Sequence, residues 1–341
     1  MRPTHIHIVG HGLAGAILAE TLSRAGLVVT VTDDGKPSSS RVAAGLFTPL
    51  TGRRMIPSWR LEEALPVLHS FYPALEKELG ISCFHPLSTV RILRDDAQHR
   101  EFNQNRNSPY VGELRDQTDL PFRTPCGTFE MRGGGWVNLP VLLDALEKRR
   151  KLRGEWGEPS QDPDRTVWAQ GAAAAEDPLW REVGWRNAHG DILTVHIPTL
   201  PQDRIYNFGR FLLPIGNGHF RCGATYAWNQ DSASPRPGGR KELEQELHAW
   251  LTCRFEVVDH QAGIRPVALA RVPVAGPHPD QPRQWIFNGF ASKGVLYAPW
   301  MARQLVDHWL HGTGLPRDVR ADRRIHRQRA REQTRKGQGA S

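Results

Sequence analysis

Gly10-His11-Gly12-Leu13-Ala14-Gly15 sets three glycines at the spacing used where a strand turns sharply into a helix. The apolar stretch Ile6-His7-Ile8-Val9 comes before it, and residues 13–25 after it repeat their apolar positions at helical spacing. A second strand at residues 27–32 then runs into Asp33 and Asp34. Each glycine answers a separate demand. The first allows the tight turn, the second lets a pyrophosphate approach the backbone, and the third lets helix pack on strand. Unpaired N–H groups at the helix start attract phosphate. Asp33, eighteen residues beyond Gly15, stands where an acid can accept from ribose hydroxyls. A chain that opens this way is expected to build a parallel α/β sheet around a dinucleotide.

At 341 residues the chain can bury a large core and is expected to form two domains. No run approaches eighteen uninterrupted apolar residues, and the first strand starts almost at once. The expectation is therefore a cytoplasmic protein with neither a spanning helix nor a leader. Cys83, Cys126, Cys222 and Cys253 are scattered, with no CxxC pair, which argues against zinc and against a disulfide framework. None of the 15 histidines shows ligand spacing, and no Ser-His-Asp set stands out. The net charge is +8, but residues 317–341 hold nine basic side chains against three acidic ones, so six of those charges lie in this tail. Such a stretch is expected to be disordered or a frayed helix. A contact to RNA or an acidic partner is the alternative.

Between the ends, apolar spacing predicts helices at residues 59–79, 141–150, 241–251 and 294–310. Pro140 suits the first turn of the second of these. Pro37-Ser38-Ser39-Ser40 reads as a turn, and the small residues after it could let backbone lie against a flat ligand. Residues 81–130 contain β-like stretches broken by a polar region at 103–108, and residues 166–171 form a short strand ending at a glycine turn. Residues 191–228 look like antiparallel strands, with Gly216-Asn217-Gly218 as a hairpin turn, and residues 284–290 read as another strand.

Taken in order, several segments resemble the flavin-dependent D-amino-acid oxidase and glycine oxidase family. They are the glycine turn with Asp33, then Ser39-Ser40-Arg41-Val42-Ala43-Ala44-Gly45-Leu46, then Gly134-Gly135-Trp136-Val137. Phe211-Leu212-Leu213-Pro214 with Arg221-Cys222-Gly223-Ala224-Thr225 comes next. Gly263-Ile264-Arg265-Pro266 and Gly289-Phe290-Ala291-Ser292-Lys293-Gly294-Val295-Leu296-Tyr297 complete the series. Residues 46–50 and the Ser292-Lys293-Gly294 turn also look like the oxidase domain of the bifunctional enzyme that finishes a modified wobble uridine in tRNA.

The resemblance implies an α/β fold. An FAD-binding Rossmann-like domain of the glutathione-reductase type (residues 1–80, 131–190 and 260–316) carries an inserted α+β substrate domain on an antiparallel sheet (81–130 and 191–259). It implies FAD contacts at Gly10, Gly12, Leu13, Ala14, Gly15, Asp33, Asp34, Ser39, Ser40, Ala44, Gly45 and Leu46, and again at Ser292, Lys293, Gly294, Val295 and Leu296. It implies hydride transfer from the carbon beside an amine to flavin N5, hydrolysis of the resulting imine, and oxygen as acceptor. Because flavin performs the redox step, no protein base is obligatory. Arg265 would hold a substrate carboxylate, since a planar guanidinium matches it bidentately; the alternative is a structural ion pair. Lys293 would face the flavin's pyrimidine end and the substrate, and Tyr226 and Tyr297 would line the pocket. The substrate implied is a small amine or amino acid, or, on the second resemblance, a carboxymethylaminomethyl-type wobble uridine. Where glycine oxidase-like chains carry arginine in the last motif, this chain has Ser292.

Overall fold

The structure is a computed structural model that describes residues 4–36, 38–116, 119–228 and 232–338. Pro37 of the expected turn and the last three residues of the expected tail lie outside them. The strand His5–Val9 pairs in parallel with Val28–Thr32 on one side and Arg165–Trp168 on the other. Gln284–Asn288 adds a further parallel strand, and Val274–Pro277 closes that edge antiparallel. This five-stranded sheet is thus drawn from segments far apart in sequence.

In chain order the helices are α1 (Leu13–Arg24), α2 (Ser39–Val42), α3 (Leu61–Leu79), α4 (Asp96–Asn105), α5 (Leu139–Leu152), α6 (Pro237–Trp250), α7 (Gly294–His311) and α8 (Ala321–Gln338). Helices α1, α3, α5 and α7 bury their apolar stripes with the sheet in one core that includes Ile8, Ile17, Leu68, Leu143, Val167, Phe287 and Leu296. At α5 the Asn138 side chain accepts from the Val141 N–H, and Pro140 occupies the first turn. A second core lies against a nine-stranded, mainly antiparallel sheet. Near one end of it, the strand Ala188–His196 pairs with His219–Gly223 and Ala227–Trp228 on one edge and with Glu256–Arg265 on the other. The hairpin at residues 216–218 joins Phe211–Gly216 to His219–Gly223 as its glycines predict.

Three local expectations need correction. The polar region near residue 103 does separate strands, but as part of an unexpected helix: α4 runs through residue 105, and the Asp95 carboxylate caps it by accepting from Gln98 N–H. Helix α6 starts four residues earlier than its apolar spacing suggests. Gly238 and Gly239 conceal that start, since a Cβ on Gly239 would lie 1.9 Å from Asp191 Oδ2.

The basic tail also differs. Val319 and Arg320 run beside Ala275, with Ala275 N–H donating to Val319 O at 2.9 Å. Helix α8 then buries Ala321 and Ile325 against Trp180, Val183, Val274 and Ile286. Two apolar residues at i, i+4 suffice to dock it, a signal outnumbered by the surrounding charge.

Candidate active site

The glycine turn is fixed from both sides. Gly10 N–H donates to Thr32 O at 2.7 Å, and His11 N–H donates to Asp33 Oδ2 at 2.6 Å. A Cβ on Gly15 would lie 1.9 Å from Gly10 O, so only glycine lets α1 sit this close to its strand. Asp33 Oδ1 accepts from Gly35 N–H, while Asp34 is exposed and paired with Lys36, whose hydrogen bond holds its carboxyl below the usual range. Ser40 Oγ accepts from Leu13 N–H at 3.0 Å, so a small oxygen group already sits over the N-terminus of α1. Gly12, the cap residue there, has no side chain to compete. The His11 imidazole is 6% exposed, stands edge-on to Trp156 at 5.0 Å, and leaves Nε2 without a partner. Burial lowers its pKa to about 4, so it is neutral at physiological pH.

The other expected cofactor residues converge here. A Cβ on Gly294 would lie 3.0 Å from Leu13 Cδ2, which brings the starts of α7 and α1 side by side. Ser39 backs onto Gly263 of the second sheet, 3.2 Å from where a Cβ there would be. Ala44 is buried, Gly45 is hydrogen-bonded to Val137, and Leu46 pairs with Trp136. Ser292 is exposed at the turn before α7, and Val295 and Leu296 are buried in the core. Ala14 packs partly buried against that core.

Lys293 precedes α7, and its ammonium turns inward. Nζ donates to Thr48 Oγ1 at 3.0 Å, Ser58 Oγ at 3.1 Å and Thr48 O at 3.4 Å, with no acidic partner among the described residues. Burial lowers its pKa to about 8. Tyr297, one turn on, is buried against Trp59 at 5.3 Å. Thr48 and Ser58 were not legible as site residues, because only the folded loop after Leu46 brings them to Lys293.

Arg265 ends the strand Glu256–Arg265, one residue before Pro266, whose carbonyl accepts from Ala291 N–H in the turn before α7. Sheet register puts Arg265, Ala188 and Trp228 in one row and Gly263 and Gly190 in the next row on the same face. The guanidinium lies over Gly190, where a Cβ would be 2.2 Å from Nη2. Its own contacts are long, to Thr225 O at 3.3 Å and His189 O at 3.4 Å, and it pairs with no carboxylate among the described residues. Its carbon centre stands 5.0 Å from the ring centroid of Tyr226, which is 46% exposed. Burial lowers the Arg265 pKa. The structural ion-pair alternative is therefore not what the geometry contains. Gly190 went unnoticed in the sequence, since its value depends on which residue faces it across the sheet.

These residues suit an FAD. Two helix starts meet at a glycine turn, a buried imidazole nitrogen is unpartnered beside the acid-bearing strand end, and a buried ammonium is met only by neutral oxygens. Among the described residues no cluster of His, Cys, Asp or Glu could hold a metal, and no helix is long and apolar enough to cross a membrane.

Comparison with known proteins agrees. Glycine oxidase of Pseudomonas aeruginosa is 24% identical over 348 residues, covering 88% of this chain and 93% of its own length. The tRNA 5-methylaminomethyl-2-thiouridine biosynthesis bifunctional protein MnmC of Caulobacter vibrioides is 26% identical over 355 residues, and there the match covers 93% of this chain but 56% of the relative. Among solved structures, glycine oxidase from Geobacillus kaustophilus superposes with a TM-score of 0.73 at 20% identity, over 89% of this chain and 94% of its own. Iminodiacetate oxidase from Chelativorans sp. BNC1 gives 0.72 at 18% identity, over 91% and 97%. The DAO family, described as FAD dependent oxidoreductase, matches residues 5–308, and the chain belongs to that family.

Proposed function

We propose that the protein oxidises the C–N bond of a small carboxylated amine, with oxygen as the final acceptor. The observation that carries this reading is Arg265, a guanidinium largely withdrawn from water over a tyrosine face and left with two long carbonyl contacts. Among the described residues a cation so placed lacks the charged partner that normally offsets its desolvation. A substrate carboxylate would supply it through two charge-assisted hydrogen bonds. Bound FAD would supply the hydride acceptor. The substrate loses a hydride from carbon and a proton from nitrogen, and water hydrolyses the imine to a carbonyl compound and an amine. Arg265 would fix the direction of the substrate, while Lys293 and the start of α7 would supply positive charge to stabilise a reduced, anionic flavin. Glycine oxidase and iminodiacetate oxidase among the similar proteins support a substrate of this class. The test is anaerobic mixing of the yellow protein with glycine, sarcosine or iminodiacetate. Bleaching of the flavin absorbance and peroxide release on adding air are expected, and no bleaching with any carboxylated amine would end this reading.

A second reading, oxidation of a carboxymethylaminomethyl-type uridine in tRNA, draws on the rim of the same site. Beyond Arg265 and Tyr226, the Trp228 ring stands edge-on to Tyr226 at 4.8 Å, and the exposed Arg186 lies 4.3 Å above Trp228. Alternating guanidinium and aromatic planes suit a nucleobase carried on the substrate nitrogen. Trp228→Ala would then slow oxidation of the modified nucleoside several-fold and leave glycine oxidation unchanged. Equal effects on both would count against it.

A further inference from the structure

We infer that α8 is a fixed docking rail for a nucleic-acid phosphate backbone, an inference that rests on the second reading above for its use. One side of the helix is fully committed to the protein. Ala321 and Ile325 are buried, Arg324 donates to the carbonyls of Val272, Pro273 and Asp318, and Arg329 is held by Glu182 and Asp280, each at 2.7 Å. The exposed surface, from the far side round to the flank beside Arg324, carries Arg323, Arg327 and Arg331, none with an acidic partner among the described residues.

Spacing of four residues sets these guanidinium groups in a line at steps of about 6 Å along the axis. Like charges at i, i+4 weaken a helix, so this row works against the element that displays it. A polyanion removes that conflict. A lipid surface fits poorly, because a membrane-lying helix needs an apolar face, and the apolar side of α8 is already buried in the protein. The segment that holds α8 leads on along the chain to the rim of the candidate site. Glu182, which holds Arg329, is four residues from Arg186, which lies over Trp228.

The test compares full-length protein with an Arg323→Gln/Arg327→Gln/Arg331→Gln variant, using unfractionated tRNA at several salt concentrations. Affinity is expected to fall at least tenfold near 0.15 M salt. The slope of log K against log salt should shrink by about 2, since each phosphate contact on a single strand contributes roughly 0.7. An Arg100→Gln/Arg106→Gln/Arg115→Gln variant, with the same charge change on exposed residues elsewhere, should alter neither. Unchanged affinity and slope in the α8 variant, or equal losses in both variants, would overturn the inference. So would capture by phosphatidylserine vesicles that is lost in the α8 variant while tRNA binding is kept. Glycine-driven flavin bleaching should match wild type. Binding of tRNA through α8 without oxidation of the modified nucleoside would remove the second reading alone; oxidation of the free nucleoside without α8-dependent binding would remove the rail alone.

Discussion

Arg236 and Arg265 reach the same threonine, yet their charges are treated in opposite ways. Arg236 donates to Asp191 Oδ2 at 2.8 Å through Nη2, and its backbone N–H reaches Oδ1 at 2.9 Å. Asp191 is fully buried and also accepts from Thr225 Oγ1 at 2.8 Å and from His260 Nε2 at 3.1 Å. Among the described residues Arg265 donates only to the Thr225 and His189 carbonyls. The first arginine belongs to a closed network that pins the Thr225 loop. The second uses that loop as a floor and keeps its fork free. A buried cation is structural or ligand-seeking according to whether the protein itself supplies the anion.

The largest effect should come from opening the closed network. Asp191→Ala strands Arg236 and removes the acceptor for Thr225, and loss of one partner from a buried pair costs about 3–5 kcal/mol. Thermal unfolding should show a drop of many degrees, whereas Arg265→Ala, which breaks no ion pair among the described residues, should shift it little. If the two variants melt together, the distinction fails. Burial raises the Asp191 pKa, but hydrogen bonds from Arg236 and Thr225 outweigh it and the net shift is downward. Its stabilisation is thus present above the ordinary carboxylate range and lost as pH falls through the folded value.

Next in size is the kinetic effect at Arg265. Arg265→Ala should cost about 3 kcal/mol, or roughly a hundredfold in kcat/KM, with a carboxylated amine. Arg265→Lys should recover part, since a point charge lacks the planar fork. Flavin content and turnover of a substrate without a carboxylate should hold steady; loss of flavin would make Arg265 a scaffold residue.

Lys293 offers a third contrast, a buried cation that can give up its charge. Its pKa falls from 10.5 to about 8 on folding. Between those values the unfolded chain carries a proton that the folded one has released, so stability of the flavin-free protein rises with pH across that window. Below pH 8 the full penalty applies, and Lys293→Met should stabilise that form by about 2 kcal/mol at pH 7. Urea titrations at pH 7 and pH 10 measure both quantities, and an unaltered pH slope in the variant would contradict the assignment. The smallest effect is at Tyr226, where Leu should raise KM about threefold by removing a cation–π contact of about 0.5–1 kcal/mol.

What the sequence made legible follows from range. The glycine turn, Asp33 and the Lys293 turn are local patterns whose chemistry is written within a few residues, and the structure brings the two turns together through Gly294 and Leu13. Arg265 was nameable by resemblance, but its lack of an anion among the described residues was not, because that depends on every strand around it. Gly190, Asp191 and the Thr48–Ser58 cradle come from register between distant segments, which periodicity does not encode. Helix α8 was misjudged because charge dominates its composition while two buried side chains, Ala321 and Ile325, decide its position.

The meeting of α1 and α7 start to start has a consequence for how the protein persists. Two helices with adjacent N-termini set two partial positive charges close together, an excess that Ser40 Oγ at Leu13 N–H and the Asp33 carboxylate at His11 N–H offset in part. An anionic dinucleotide cancels it, so the ligand acts as a keystone as well as a reagent. Bound-state stability grows by about 1.4 kcal/mol for each tenfold excess of ligand over its Kd. Flavin supply would therefore raise the folded fraction as well as the activity.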